Sequence, residues 1–157
     1  MGGVKLIIEI DRNDIIAKAE IEIEENILEM SYPSNINYNN WDNLAKQSYD
    51  KVKKNIDSKA NIYIIMVKVD SNNSEEYEVK YIGKSKAIRS RVREHLVKCS
   101  VGTSSCLSYV KDNIIKGNDK NIYISTIEII PKELNSYIET LLLNEYKSDN
   151  VWYSRDS

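Results

Sequence analysis

Residues 61–98 read NIYIIMVKVDSNNSEEYEVKYIGKSKAIRSRVREHLVK, and the fold turns on this stretch. Ile62 to Val69 is rich in apolar and β-branched residues and predicts a strand. The polar run Asp70 to Glu76 predicts a turn, and Tyr77 to Ile82 the returning strand of a hairpin. Gly83 ends that strand. Ser85 can cap a helix from Lys86 to about Lys98, because a hydroxyl there accepts an orphan backbone N–H of the first turn. Ile88, Val92, Leu96 and Cys99 recur at helical spacing and give that helix one apolar face.

Working outward, Ser104 and Ser105 can cap a second helix through Ile115, with Gly117 just past its end. Asn121 to Ile129 predicts another strand, and Pro131 opens a last helix to about Lys147. Residues 61–157 therefore read β-β-α-α-β-α, an α+β pattern. Upstream, Lys5 to Ile10 (KLIIEI) reads as a strand, and Ala19 to Glu24 (AEIEIE) alternates with the period of a half-buried strand. Ile15 and Ile16 fit either a short helix or the entry to that strand. Trp41, Ala45, Tyr49, Val52 and Ile56 predict a helix over 41–56. Residues 1–60 are thus expected to form a ββα extension, with dimerisation as the role considered for it.

The chain has 157 residues, is 41% hydrophobic and 29% charged, and carries a net charge of −2. That apolar content supplies a core and argues against global disorder. A net negative chain argues against nucleic acid as partner, because the whole-molecule field repels phosphate. The average hides a division, however. Residues 1–60 hold 8 Lys/Arg and 11 Asp/Glu, whereas residues 61–157 hold 14 and 13. Lys80 to Lys98 contains Lys80, Lys84, Lys86, Arg89, Arg91, Arg93 and Lys98 against Glu94 alone. A charge run by itself reads as a solvated helix face. It is also a candidate phosphate site, because affinity follows the local field rather than the total charge. No apolar run approaches the roughly 20 residues that cross a bilayer, so no membrane partner is expected. The opening Met1-Gly2-Gly3-Val4-Lys5 lacks the apolar run of a secretion signal. Cys99 and Cys106 are too few for a disulfide framework and match no zinc spacing. The expected location is the cytoplasm.

Three residues carry chemistry that packing alone does not demand. Arg91 and His95 lie four apart at the edge of the apolar stripe. Taken singly, His95 reads as a structural histidine and Arg91 as a side chain whose stem covers the core edge. Glu139 falls among Leu134, Ile138, Leu141 and Leu142, where a carboxylate is costly to bury unless paired or metal-bound. Taken singly, it reads as a flank residue facing solvent. Cys99 beside His95 lacks the further ligands that a metal site needs.

Asn61-Ile62-Tyr63 at the start of one strand and Tyr81-Ile82-Gly83 at the end of the next resemble the paired signatures of the GIY-YIG nuclease superfamily. The register continues through Gly83-Lys84-Ser85-Lys86-Ala87-Ile88, three residues before Arg91, with His95 four further on as in several restriction-enzyme members. Glu139, followed by Leu142 and Leu143, resembles the Glu of the family's last helix, and Asn150 the Asn that often closes the domain. The resemblance covers residues 61 to about 151. Asn61 departs from the family's Gly; the position is read as serving backbone geometry, since Asn tolerates unusual dihedrals. The resemblance implies a GIY-YIG-type core with a three-stranded antiparallel sheet over 61–157, and Tyr63, Tyr81, Arg91, His95 and Glu139 as catalytic residues. Lys84, Ser85, Lys86, Arg89, Arg93 and Asn150 are expected on nucleic acid, the cations holding flanking phosphates without reading sequence.

Phosphodiester hydrolysis needs an activated water, neutralisation of charge at phosphorus, and help for the leaving oxygen. Glu139 is expected to hold Mg²⁺ (or Mn²⁺) as the Lewis acid, and Arg91 offers its fork to the phosphate. By resemblance, Tyr63 is the general base or the orienter of the water. A phenol of pKa ≈ 10 needs help for that, and His95 could accept its proton or hold it in place. Tyr81 would position water or phosphate. The expected function is a metal-dependent DNA endonuclease of restriction type. A catalytically inactive binding module of the same fold, and a repair or mobile-element nuclease, are the alternatives. RNA stays open as a substrate. A homodimer suits cleavage of two strands.

Overall fold

The computed structural model describes residues 3–71, 74–99 and 106–146. Asp11 caps the first helix, α1 (Arg12–Glu25), its carboxylate accepting the Asp14 N–H at 3.1 Å. A short strand, β1 (Leu28–Ser31), and a helix, α2 (Trp41–Val52), follow, and one 3₁₀ turn (Lys53–Asn55) continues α2. The hairpin is β2 (Ile62–Ser71) and β3 (Ser74–Lys84), paired from Ile62↔Lys84 to Ser71↔Ser74 with a bulge between Ile65 and Met66. Helix α3 (Ile88–Arg93) runs directly into a π-helical segment, Glu94–Lys98. Helix α4 (Cys106–Ile115), strand β4 (Asn121–Ile127), a 3₁₀ turn (Lys132–Leu134) and helix α5 (Asn135–Glu145) complete the described chain.

The four strands form one antiparallel sheet in the order β1-β4-β2-β3. Each face buries one apolar core. On one face Tyr63, Ile65 and Tyr81 meet Trp41, Ala45 and Tyr49 of α2, Ile88 and Val92 of α3, and Leu96. On the other, Ile62, Ile64, Met66 and Ile82 meet Ala19 and Ile23 of α1 and Ile138, Leu141 and Leu142 of α5. Alternation along β2 assigns its side chains to the two cores in turn. The result is an α+β sandwich of helices on both faces of an antiparallel sheet.

The hairpin, the helix after it, β4 and the last helix stand where the sequence predicts them, with shifted ends. The strands extend through most of the polar run 70–76, and α3 begins at Ile88 rather than Lys86. The caps proposed at Ser104 and Ser105 lie outside the described residues. The first thirty residues need correction. Ala19 to Glu24 is helical, not a strand. Ile15, Ala19 and Ile23 are spaced by four and face the sheet, so burial follows the helical period, and Ile21 is left exposed. Glu, abundant here, favours helices and is depleted in strands. Lys5 to Ile10 joins no strand ladder. The expected ββα is therefore α1-β1-α2, and β1 pairs with β4 through Leu28↔Ile124 to Ser31↔Asn121. Residues 61–157 supply the expected three antiparallel strands, β2, β3 and β4, and β1 adds a fourth at the edge beside β4, which four residues were too few to announce. Among the described residues, no helix is long and apolar enough to cross a membrane.

Candidate active site

Tyr63 lies on β2 directly opposite Gly83 of β3, and its ring covers that glycine. A Cβ at Gly83 would meet the Tyr63 ring and hydroxyl, so hydrogen alone fits there. Tyr81, two residues back on β3, stacks on the Tyr63 ring at 5.8 Å between centroids. His95 is tilted against both rings, at 5.4 Å from Tyr63 and 4.4 Å from Tyr81. Tyr63 Oη and His95 Nε2 are hydrogen-bonded at 2.8 Å. With the phenol as donor, Nδ1 carries the ring proton, and it has no hydrogen-bond partner among the described residues.

Burial sets the proton states of this pair. It pushes the Tyr63 hydroxyl up, Tyr81 adds to the rise, and the Arg91 guanidinium opposes it. Burial, and then Arg91, push His95 down to about 3. The pair is therefore phenol and neutral imidazole. Arg91 sits at the edge of the cluster, half-buried, and donates from Nη1 to Glu94 Oε2 at 2.6 Å. Glu94 is the one acid of the basic stretch 80–98, and its i,i+3 spacing from Arg91 is the signal by which sequence reading could have found the pair.

The π turn that carries His95 is held from the first sixty residues. The last carbonyls of a helix have no partner within it, and Leu96 and Val97 lie in the final turn before Cys99. The Tyr32 hydroxyl donates to Leu96 O at 2.7 Å, and Trp41 Nε1 donates to Val97 O at 2.7 Å. Tyr32 and Trp41 stack on each other at 5.1 Å. Cys99 closes the segment in the left-handed region, at φ 43°, with its Sγ 3.2 Å from His95 O. Burial pushes that thiol up to about 12, so it is neither a nucleophile nor a ready metal ligand. Sequence reading missed these roles of Tyr32, just past β1, and Trp41, at the start of α2, since an aromatic residue carries no sign of its hydrogen-bond partner.

The basic residues divide by what holds them. Lys86 is exposed, Arg93 is half-buried, and Lys84 Nζ meets Ser136 Oγ of α5. Ser85 Oγ accepts the Ala87 N–H at 3.0 Å, a turn at the helix entrance. Arg89 faces away from the cluster: Nε donates to Ile56 O at 2.9 Å and Nη2 to Lys54 O at 3.4 Å, which fastens the end of α2 to α3. Asn150 lies outside the described residues. Asn61 has no unusual dihedral, since Cys99 is the one non-glycine residue of positive φ among those described. Its side chain instead brackets Ile129, accepting from Ile129 N at 2.7 Å and donating to Ile129 O at 3.0 Å.

Tyr63, Tyr81, Arg91 and His95 are thus brought together on the α3 side of the sheet. Glu139 belongs to the other layer, on α5, one turn after the Ser136 that Lys84 reaches across the end of β3. It is 3% exposed, its carboxylate has interactions, and its Oε2 has no hydrogen-bond partner among the described residues. Among the described residues, no three His, Cys, Asp or Glu side chains converge on one point. A hard divalent cation takes oxygen donors, and a buried carboxylate oxygen fits one such position. Two clefts, of about 630 and 650 Å³, are lined by Glu22, Glu25 and Glu128 and by Glu20, Glu24 and Glu76. Acidic walls of that kind repel a phosphate backbone, so neither cleft belongs to this site.

A mixed α+β domain with a Tyr–His–Arg centre at the root of a hairpin defines a class, and comparison with known families names it. The model of the GIY-YIG catalytic domain matches residues 59–152, more than half of the chain. The chain belongs to the GIY-YIG family, whose domain implies nuclease activity in general, a nucleic-acid substrate and, as a rule, dependence on a divalent metal. No curated protein and no solved structure matches the chain.

Proposed function

We propose that this chain is a metal-dependent DNA endonuclease of restriction type. The observation that carries the reading is the buried Tyr63–His95 hydrogen bond beside Arg91. Tyr63 holds its proton against His95 Nε2, and its oxygen, which Arg91 also bonds, would orient the attacking water once Arg91 moves to the phosphate. As that water attacks phosphorus, Tyr63 accepts its proton and passes its own to Nε2. The relay begins and ends with a protonated phenol, so the raised Tyr63 value does not obstruct it. Arg91 leaves Glu94 for the scissile phosphate, whose growing negative charge its fork can match. Pairing with phosphate cancels the Arg91 charge that depresses His95, so substrate binding makes the imidazole a better acceptor.

Glu139 is the residue that would hold Mg²⁺ or Mn²⁺, with waters and the phosphate completing the shell. That ion, when bound, supplies Lewis-acid stabilisation of the phosphate and the leaving oxygen. Lys84, Lys86 and Arg93 would contact flanking phosphates, and Tyr81 would hold Tyr63 and His95 in line. Asn150 remains a proposed nucleic-acid contact, whereas Arg89 serves the packing of α2 on α3. His95 four after Arg91 supports the restriction-type assignment. A two-fold homodimer would set one centre on each DNA strand.

Incubation with plasmid DNA and Mg²⁺ or Mn²⁺, beside Arg91→Ala and Glu139→Ala, tests the reading. Discrete bands from the parent and loss of cutting in both variants support it. A smear would make the enzyme a non-specific nuclease. Binding without metal-dependent cutting would favour the inactive module, and undiminished cutting by Glu139→Ala would remove that residue from the site.

A further inference from the structure

Residues 4–10, VKLIIEI, belong to no helix or strand and leave their apolar side chains in solvent. Val4 is 100%, Leu6 83%, Ile7 79% and Ile8 71% exposed. Such a run of β-branched and aliphatic residues has the composition of a strand and no partner within the described chain. Its order is also palindromic in chemistry about Ile7. Counting outward from Ile7, the positions match Leu6 with Ile8, Lys5 with Glu9 and Val4 with Ile10.

We propose that residues 4–10 of two copies of this chain pair as antiparallel strands about a two-fold axis at Ile7. In that register Lys5 of each copy lies opposite Glu9 of the other, and each remaining pair is apolar. No other antiparallel register of the segment with itself places the two charges opposite each other. Opposite charges facing across strands stabilise a ladder, and like charges destabilise it. The same register puts Val4, Leu6, Ile8 and Ile10 of both copies on one face. A two-stranded ribbon alone is marginal in water, so that face packs against the bodies it joins. Helix α1 begins directly after the segment, at Arg12, and leaves Ile21 exposed in its second half. The contact is isologous and closed, which gives a dimer rather than a filament.

The pairing takes its purpose, two centres for two strands, from the nuclease reading, while its test does not depend on activity. Sedimentation equilibrium of the full chain is expected to give a dimer. Lys5→Glu and Glu9→Lys should each weaken it by about tenfold or more, because two-fold symmetry counts every pair twice. Lys5→Glu combined with Glu9→Lys should restore the parent affinity. These side chains are exposed, so circular dichroism of the variants should match the parent. A parent that stays monomeric overturns the proposal. So does a dimer indifferent to the single reversals, or one that the double reversal fails to restore, as addition to a sheet edge would give. A dimer that cuts no DNA would leave the pairing standing and refute the nuclease reading.

Discussion

His95 is the chain's one histidine, is fully buried, and is pushed down to about 3 from an ordinary 6.5 by burial and then by Arg91. The unfolded chain has no such constraint and takes up a proton as pH falls through about 6.5. Between the two values the unfolded state binds more protons. The stability linked to His95 is therefore complete above pH 6.5 and is lost as pH falls towards 3. The slope approaches about 1.4 kcal/mol per pH unit, so lowering pH from about 6.5 to about 4.5 removes about 2.5 kcal/mol. Carboxylates begin to titrate in the same range, and a variant must subtract them. His95→Gln keeps an amide beside the Tyr63 hydroxyl and titrates nothing. Urea unfolding of both proteins at several pH values gives the comparison. The parent should be the more stable at neutral pH, with the gap closing by about 2.5 kcal/mol at pH about 4.5. A gap that stays constant across that range would refute the claim that His95 is held neutral by its surroundings.

Gly83→Ala should displace the Tyr63 ring it underlies, at a cost of about 1–3 kcal/mol in chemical denaturation and with loss of cleavage. Trp41→Phe keeps the stacked ring but strips Val97 O of its donor, which should cost about 1–3 kcal/mol and slow cleavage through the His95 segment. Glu94→Gln frees Arg91 from its ion pair. DNA binding measured by filter retention in EDTA should tighten by about two- to fivefold, with a steeper dependence on salt.

The hairpin and the helix after it were legible because three signals agree there. β-branched runs, a polar turn and a helical stripe from Ile88 to Leu96 all specify the same topology. AEIEIE misled because six residues of alternation also satisfy part of a helical face. Ile15, Ala19 and Ile23 decide the matter only over a longer window, with a sheet face waiting to receive them. β1 carries four residues and no periodicity, so its pairing with β4 had no local signature. At the site, sequence reading named the residues but not their relations. The Tyr63–His95 bond and the fastening of the π turn by Tyr32 and Trp41 depend on contacts distant in the chain, whereas the Glu94 counter-charge is a local i,i+3 pair that the spacing offered. The Arg89 assignment shows the converse. A charge run does not reveal which cation turns inward, and Arg89 is spent on the carbonyls of Ile56 and Lys54.

In the proposed hydrolysis the Tyr63 hydroxyl, not its ring, does the work. Tyr63→Phe keeps the ring over Gly83 and removes the group that bonds His95. Cleavage of supercoiled plasmid in Mg²⁺ by this variant, at matched folded concentration, measures that hydroxyl alone. Cleavage should be slower by about a hundredfold or more, with DNA binding retained. Equal rates for variant and parent would contradict that role.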